Sequence, residues 1–349
     1  MAVTFDDILA MAHDSIRAQH AFAMYAKPGQ NAVTAIFQRD DKTHPVDFTQ
    51  NGFIFSSFTG DRQFFIPNDA SETGSVEIPE SAAPPLTNPS PSFTVKEKKA
   101  FEALVKKAIA AIATGEMRKV VLSRRETVTN HTDFATVYTR LLLAYPAAFR
   151  YCWFHPQTGI WMGATPEQLL KTNGKAFNTV ALAGTQQFID TEHVLWQDKE
   201  KDEQQFVTDF IAEGLRNETT ELTFSEPYTA RAGNLLHIKT EINGTFANES
   251  SLEKAIEILH PTPAVCGYPK PEAQKFIREN EGYNREFYTG YLGETAKEAC
   301  DLYVNLRCMK VEQNSAHLYI GCGITAASDP KREFDETVNK ALTMKKVLS

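Results

Sequence analysis

The amino-acid sequence predicts a mixed α/β (α+β) fold rather than a doubly wound parallel sheet. Strand-length apolar segments mostly follow one another as hairpin partners, helical segments are interspersed among them, and no G-x-G-x-x-G or Walker motif follows a strand. With 349 residues, 42% apolar and 11% aromatic, the chain can bury a large core as one large domain or two of average size.

Phe5, Ile8, Leu9, Ala12 and Ile16 share one face, which predicts a helix over 5–18. Short strands are expected at 33–38 and 52–66. Between Ile78 and Ser92 stand five prolines, at 79, 84, 85, 89 and 91, so an irregular connector is expected there. It ends a motif-poor N-terminal part, 1–92, that is expected to belong to the same fold as the rest, 93–349. Phe101, Leu104, Val105, Ala108, Ile109 and Ile112 recur at helical spacing, and Gly115 stops that helix. A strand is expected at 119–122 and a helix at 133–144, closed by Pro146. Strands should follow near 150–155, 160–163 and 176–182, then a long helix over 192–217 with Val207, Phe210, Ile211 and Leu215 on its apolar side. Further strands are expected near 235–246, 287–293, 302–310 and 317–322, and helices near 251–259, 271–281 and 333–347.

Composition excludes several roles. The 36 basic and 44 acidic side chains leave a formal charge of −8, and the basic clusters are as short as Lys96-Glu97-Lys98-Lys99, so no nucleic-acid partner is expected. No run of about 18 apolar residues exists, so no membrane span is expected. The five cysteines, at 152, 266, 300, 308 and 322, are scattered without a C-x-x-C pair. Buried reduced thiols are expected, not zinc or a disulfide framework. The opening MAVTFDDILAMAHDSIR has two acids before any base and no long apolar core, which does not read as a signal peptide, so a cytoplasmic location is expected.

Four segments carry charge beside apolar runs. Lys119 precedes the strand Val120-Val121-Leu122; it is either an inward, desolvated base or a solvated strand-edge lysine. Glu167, in Gly163-Ala164-Thr165-Pro166-Glu167, is expected at the N-terminus of a short helix, as a dipole partner or a general acid. Glu200 and Glu203, three apart on the long helix, form a solvated face or hold a hard cation such as Mg²⁺. Glu336 and Lys340 form an i, i+4 pair, by default on the surface. Upstream, Gly321-Cys322-Gly323 would let backbone N–H groups approach an anion, and Arg307 suits bidentate carboxylate binding.

The ordered motifs KVVLSR (119–124), GATPE (163–167), LAGT (182–185), LHPTPAVCG (259–267), EFYTGYLG (286–293), LR (306–307), GCGI (321–324) and SDPKREFDET with Lys340 (328–340) resemble the catalytic domain of chorismate-utilising enzymes. That family includes isochorismate synthase, salicylate synthase, anthranilate synthase component I and aminodeoxychorismate synthase. The resemblance implies two layered β-sheets surrounded by helices, with the active site between them. Lysine at 119, where amine-transferring members typically carry glutamine, is similar to the water-using branch; Ala183 stands where aminodeoxychorismate synthases carry a lysine, and His260-Pro261-Thr262-Pro263-Ala264 resembles isochorismate synthases. The implied activity is Mg²⁺-dependent isochorismate formation, with salicylate synthase, an amine-transferring synthase and a non-catalytic chorismate binder as alternatives. The implied roles are Lys119 as base and Glu167 as acid, Glu203 and Glu336 on Mg²⁺ with Glu200 nearby, and Gly184, Thr185, Ala264, Arg307, Gly321, Gly323 and Lys340 on the substrate. Chorismate is the implied small-molecule partner, and no obligate protein partner is implied. Glu203 is followed by Gln204-Gln205, a departure from the family's usual neighbours at the metal helix.

Overall fold

Short polar side chains start four of the described helices. Thr4 and Asp7 form a capping box, as do Thr94 and Glu97, while Asp133 and Asp329 accept from the amides of Ala135 and Arg332. The computed structural model describes residues 3–79, 86–191, 194–232, 235–248 and 250–349, apart from the side chains of Thr185, Gln187, Lys199, Ala232 and Leu235. Of the proline-rich connector, residues 80–85 lie outside the described residues; 86–94 are irregular.

The described helices are α1 (Phe5–Ala18), α2 (Val95–Ala113), α3 (Phe134–Ala144), α4 (Asp198–Leu215), α5 (Ser251–Leu259), α6 (Lys270–Asn280) and α7 (Pro330–Leu348). The strands of the N-terminal half are β1 (Phe22–Ala26), β2 (Ala32–Gln38), β3 (Gly52–Ser56), β4 (Gln63–Pro67), β5 (Ser71–Glu77), β6 (Lys119–Thr129), β7 (Phe149–His155), β8 (Gly159–Thr165) and β9 (Gln168–Asn173). Those of the C-terminal half are β10 (Ala176–Gln187), β11 (Thr219–Phe224), β12 (Tyr228–Ala232), β13 (Leu235–Phe246), β14 (Gly267–Tyr268), β15 (Tyr291–Ala296), β16 (Ala299–Val304), β17 (Cys308–Val311) and β18 (Ser315–Ile324).

They form two antiparallel sheets. The first runs β14-β6-β18-β17-β8-β7-β1-β2-β5; the second runs β11-β13-β10-β9-β16-β15-β3-β4, with β12 also paired to β13. The expected α+β class is what the chain adopts. The sheets pack face to face through an aromatic core: Tyr25, Phe149, Tyr151, Trp153 and Trp161 from the first meet Phe53, Phe55 and Tyr303 from the second. Phe287 stacks on Phe55 at 4.6 Å between ring centres. Alternate residues turn outward. On β7, Cys152 and Phe154 join α1, α3 and α7 over the outer face of the first sheet, and α4 and α5 cover the second. The first 77 residues contribute strands to both sheets.

Several boundaries depart from the sequence expectation: β6 runs on to Thr129 and β10 to Gln187, and the segment 52–66 forms two strands, β3 and β4. The long helix begins at Asp198. The segment 287–290 is a turn, with β15 starting only at Tyr291 and Thr289 in the left-handed region. The expected strand 302–310 is two strands in different sheets, broken at residues 305–307.

Gly290 closes that turn where no side chain fits. A Cβ there would stand 1.9 Å from the Ser56 carbonyl oxygen. Gly290→Ala should therefore cost about 3 kcal/mol or more. A urea midpoint unchanged from wild type would contradict this packing.

Candidate active site

Two chain segments cross side by side from one sheet to the other, and each delivers a charged residue. Pro166 and Glu167 link β8 to β9, and residues 305–307 link β16 to β17. Thr165 Oγ1 donates to the Val304 carbonyl at 2.6 Å, Val304 N–H to the Glu167 carbonyl at 2.9 Å, and Ala164 N–H to the Arg307 carbonyl at 3.0 Å. Glu167 thus sits at a sheet crossover and not at the start of a helix, as the sequence had suggested; Pro166 leads directly into strand β9. Arg307 is held at φ +47°, a conformation a non-glycine residue keeps only when its surroundings impose it.

Glu167 and Arg307 line one cavity together with Lys119, Gly184, Glu203, Ala264, Gly321, Gly323, Glu336 and Lys340. Lys119 is 5% exposed, so the solvated strand-edge alternative does not hold. Its Nζ donates to Glu203 Oε1 at 2.6 Å, from β6 to α4. Lys340 Nζ lies 2.5 Å from Glu336 Oε1 on α7 and donates to the Gly321 carbonyl at 3.1 Å, so this i, i+4 pair faces the cavity rather than open surface. Gly323 carries the Lys119–Glu203 contact against its backbone: a Cβ there would lie 3.2 Å from Lys119 Cε and 3.5 Å from Glu203 Oε1.

Strand pairing aims the glycine amides. Val121 opposes Gly323 and Ser123 opposes Gly321 in the β6–β18 ladder. The amides of Val121 and Ser123 bond elsewhere, to the Cys266 carbonyl and to Glu281. Both are therefore non-hydrogen-bonded pairs, and Gly321 and Gly323 turn their N–H and C=O groups away from β6.

Burial pushes the Glu167 carboxyl up to about 7, against the downward pull of Lys119, Arg307 and Lys340. The site therefore holds a carboxyl that can carry a proton near neutrality. Glu200 does not line the cavity: its carboxylate accepts the Gln197 amide at 3.1 Å and caps α4, and its Cβ lies against Gly184. The Thr185 side chain lies outside the described residues.

A chorismate binding enzyme family model matches residues 69–349. The isochorismate synthase EntC of Escherichia coli (strain K12) is 32% identical over 80% of this chain and 78% of its own. The chain belongs to the chorismate-binding enzymes. The anthranilate synthase component 1 of Lactococcus lactis is 29% identical over 71% of this chain and 57% of its own length. The solved structure of MenF, the menaquinone-specific isochorismate synthase of Escherichia coli, superposes with a TM-score of 0.81 at 21% identity, covering 94% of this chain and 89% of that one, which shows the shared fold.

Chorismate-utilising enzymes generally use Mg²⁺. Glu203 and Glu336 come from two helices and offer hard oxygen donors, the kind Mg²⁺ takes when water and substrate complete its shell. Among the described residues, no three His, Cys, Asp or Glu side chains close a cage by themselves. The donor set fits a two-carboxylate Mg²⁺ site. Sequence reading passed over Glu333, a buried acid one turn before Glu336. It also passed over His237 of β13, which lines the cavity and shares a 2.8 Å hydrogen bond between Nδ1 and the Gly184 carbonyl. Burial holds that imidazole down at about 4, so it is neutral near pH 7 with its proton on Nδ1. A histidine flanked by apolar residues in Leu235-Leu236-His237-Ile238 was the available signal.

Removing a nearby positive charge must favour the neutral carboxyl. Lys119→Met should move the Glu167 midpoint above about 7. Difference infrared spectroscopy of the carboxyl stretch against pH measures it, and a downward shift would contradict the arrangement.

Proposed function

We propose that this enzyme converts chorismate to isochorismate by adding water at C2 and expelling the C4 hydroxyl. The observation that carries this reading is a single cavity where buried Lys119 stands with Glu167, a carboxyl poised near 7, beside the cations Arg307 and Lys340. Ammonia transfer does not call for a lysine base. Water addition does, because water becomes a competent nucleophile only as it loses a proton.

Arg307, Lys340 and the amides of Gly321 and Gly323 hold the two carboxylates, with Gly184 and Ala264 completing the substrate's surroundings. Glu203 and Glu336 would hold Mg²⁺, with Glu200 one turn before Glu203 on α4, and the ion would supply positive charge for the ring carboxylate. The Lys119 ammonium must first give up a proton to solvent, which its release from Glu203 favours, so that a neutral amine faces the water. Lys119 then takes a proton from water as its oxygen bonds to C2. The two ring double bonds shift and the C4–O bond breaks. Glu167 gives its proton to the departing oxygen, which leaves as water, so one water enters and one departs and the product is an isomer. Hydroxide is a poor leaving group, so the acid is required. The five cysteines are free and buried, in keeping with a cytoplasmic enzyme.

Chromatography of the product from chorismate and Mg²⁺ tests the reading. Isochorismate is expected; accumulation of salicylate and pyruvate, or ammonia-dependent anthranilate, overturns it. Lys119→Ala should lower kcat by about 10²- to 10⁴-fold with the circular dichroism spectrum intact. Glu336→Gln should weaken Mg²⁺ binding by about tenfold or more, read by titration calorimetry. Glu167 must be protonated to act, so the rate should fall as pH rises through about 7, and Glu167→Gln should remove that limb of the profile. Wild-type rates in the Lys119 and Glu336 variants would overturn these roles.

A further inference from the structure

One buried ion pair behind the cavity touches three of its walls. Arg285 and Glu281 side chains are 2% and 0% exposed. Glu281 follows α6, and Arg285 stands in the turn before β15. The guanidinium meets the carboxylate in fork geometry, Nε to Oε2 at 2.8 Å and Nη2 to Oε1 at 2.5 Å. Its remaining donors go elsewhere. Nη2 donates to the Val121 carbonyl at 2.6 Å, and Nη1 to the Val265 carbonyl at 3.0 Å and Thr289 Oγ1 at 3.3 Å. Val121, Val265 and Thr289 all line the cavity, on β6, on the loop before β14 and on the turn before β15. Glu281 in turn accepts from the Ser123 amide at 2.7 Å and from Ser123 Oγ at 3.0 Å.

We propose that Arg285 and Glu281 are positioning residues that lock the Lys119 strand in register with the opposite walls of the cavity. Neither forms part of the substrate-facing lining, and their bonds fall on Val121 and Ser123, two and four residues beyond Lys119. A stability role alone would need only the ion pair. Here the bonds from the pair reach separate segments through backbone groups, so the pair fixes the relative placement of those segments. A well-packed apolar pair could replace a buried ion pair without loss of stability, but it could not accept from Ser123 while donating to Val121 and Val265. An error of about 1 Å in the placement of a base costs about 10²-fold in rate, so such a clamp acts on turnover.

The proposal rests on the isochorismate synthase reading for its kinetic arm only. Arg285→Lys keeps a cation facing Glu281 but cannot reach all three acceptors. It should lower kcat by about tenfold or more with KM for chorismate within about threefold, because the carboxylate-binding cations are untouched. Hydrogen exchange of the full-length protein, read on peptides covering 117–125 and 262–268, should speed up by about tenfold or more there and not across the remainder of the two sheets. The exchange arm stands even if the wild type makes no isochorismate, an outcome that sinks the functional reading instead. A folded Arg285→Lys protein with kcat within about twofold of wild type and unchanged exchange overturns the clamp. Ser123→Ala, which removes the hydroxyl contacts to Glu281 together with the one to Tyr283, decides the matter if Arg285→Lys does not fold, with Tyr283→Phe as the control that removes the Tyr283 contact alone. Faster exchange over 117–125 supports the clamp, and unchanged exchange overturns it.

Discussion

The passage of two neighbouring segments between the sheets is the constraint on which the site depends. Each segment changes sheets at the same level, and the bonds linking Thr165, Glu167 and Ala164 to Val304 and Arg307 hold them together. A strand that leaves one sheet for another loses its ladder partners for two or three residues. Here each crossing satisfies the other. The exchange frees the Glu167 and Arg307 side chains to face a common space, and it imposes on Arg307 the left-handed backbone that an isolated chain would avoid. Glu167 and Arg307 are thereby fixed by hydrogen bonds of the scaffold and not by flexible loops.

The Lys119 side of the cavity is built differently. Lys119 begins β6, and the pairing of β6 with β18 brings Gly321 and Gly323 beside it. With no side chain at 323, the lysine can pass close to the backbone and meet Glu203 on α4. A buried lysine needs a counter-charge, and Glu203 supplies it. Such a pair adds little stability compared with apolar packing of the same volume. Its value lies in placement: the pair holds the lysine against the Gly323 backbone and turns the Glu203 carboxylate into the cavity.

Amphipathic stripes were the most legible part of the sequence. The helix over 5–18 and the strand over 235–246 fall where the pattern puts them, because each has one well-defined apolar face or run between clear stops. β1 was passed over because all five of its residues are buried, which erases alternation. β14, two residues long, has no pattern to read. The break at Asn305-Leu306-Arg307 was invisible because both flanking strands are apolar and only tertiary pairing assigns them to different sheets. For the site, motif order singled out Lys119, Glu167, Arg307 and Lys340, whereas the burial of Lys119 depends on α4, more than eighty residues away. Arg285 and Glu281 lie in a charge-rich stretch that reads as a solvated helix end, and nothing local reveals that they are buried.

Charge at two scales reconciles an acidic protein with a dianionic substrate. The chain as a whole carries −8. The described cavity lining holds Lys119, Arg307 and Lys340 against Glu167, Glu203 and Glu336, and His237 is neutral. Three cations oppose three carboxyls, and burial pushes one of those carboxyls, Glu167, up to about 7. The lining is therefore neutral to slightly positive in spite of the chain's net charge. Local potential and not net charge decides what enters a cleft with low-dielectric walls.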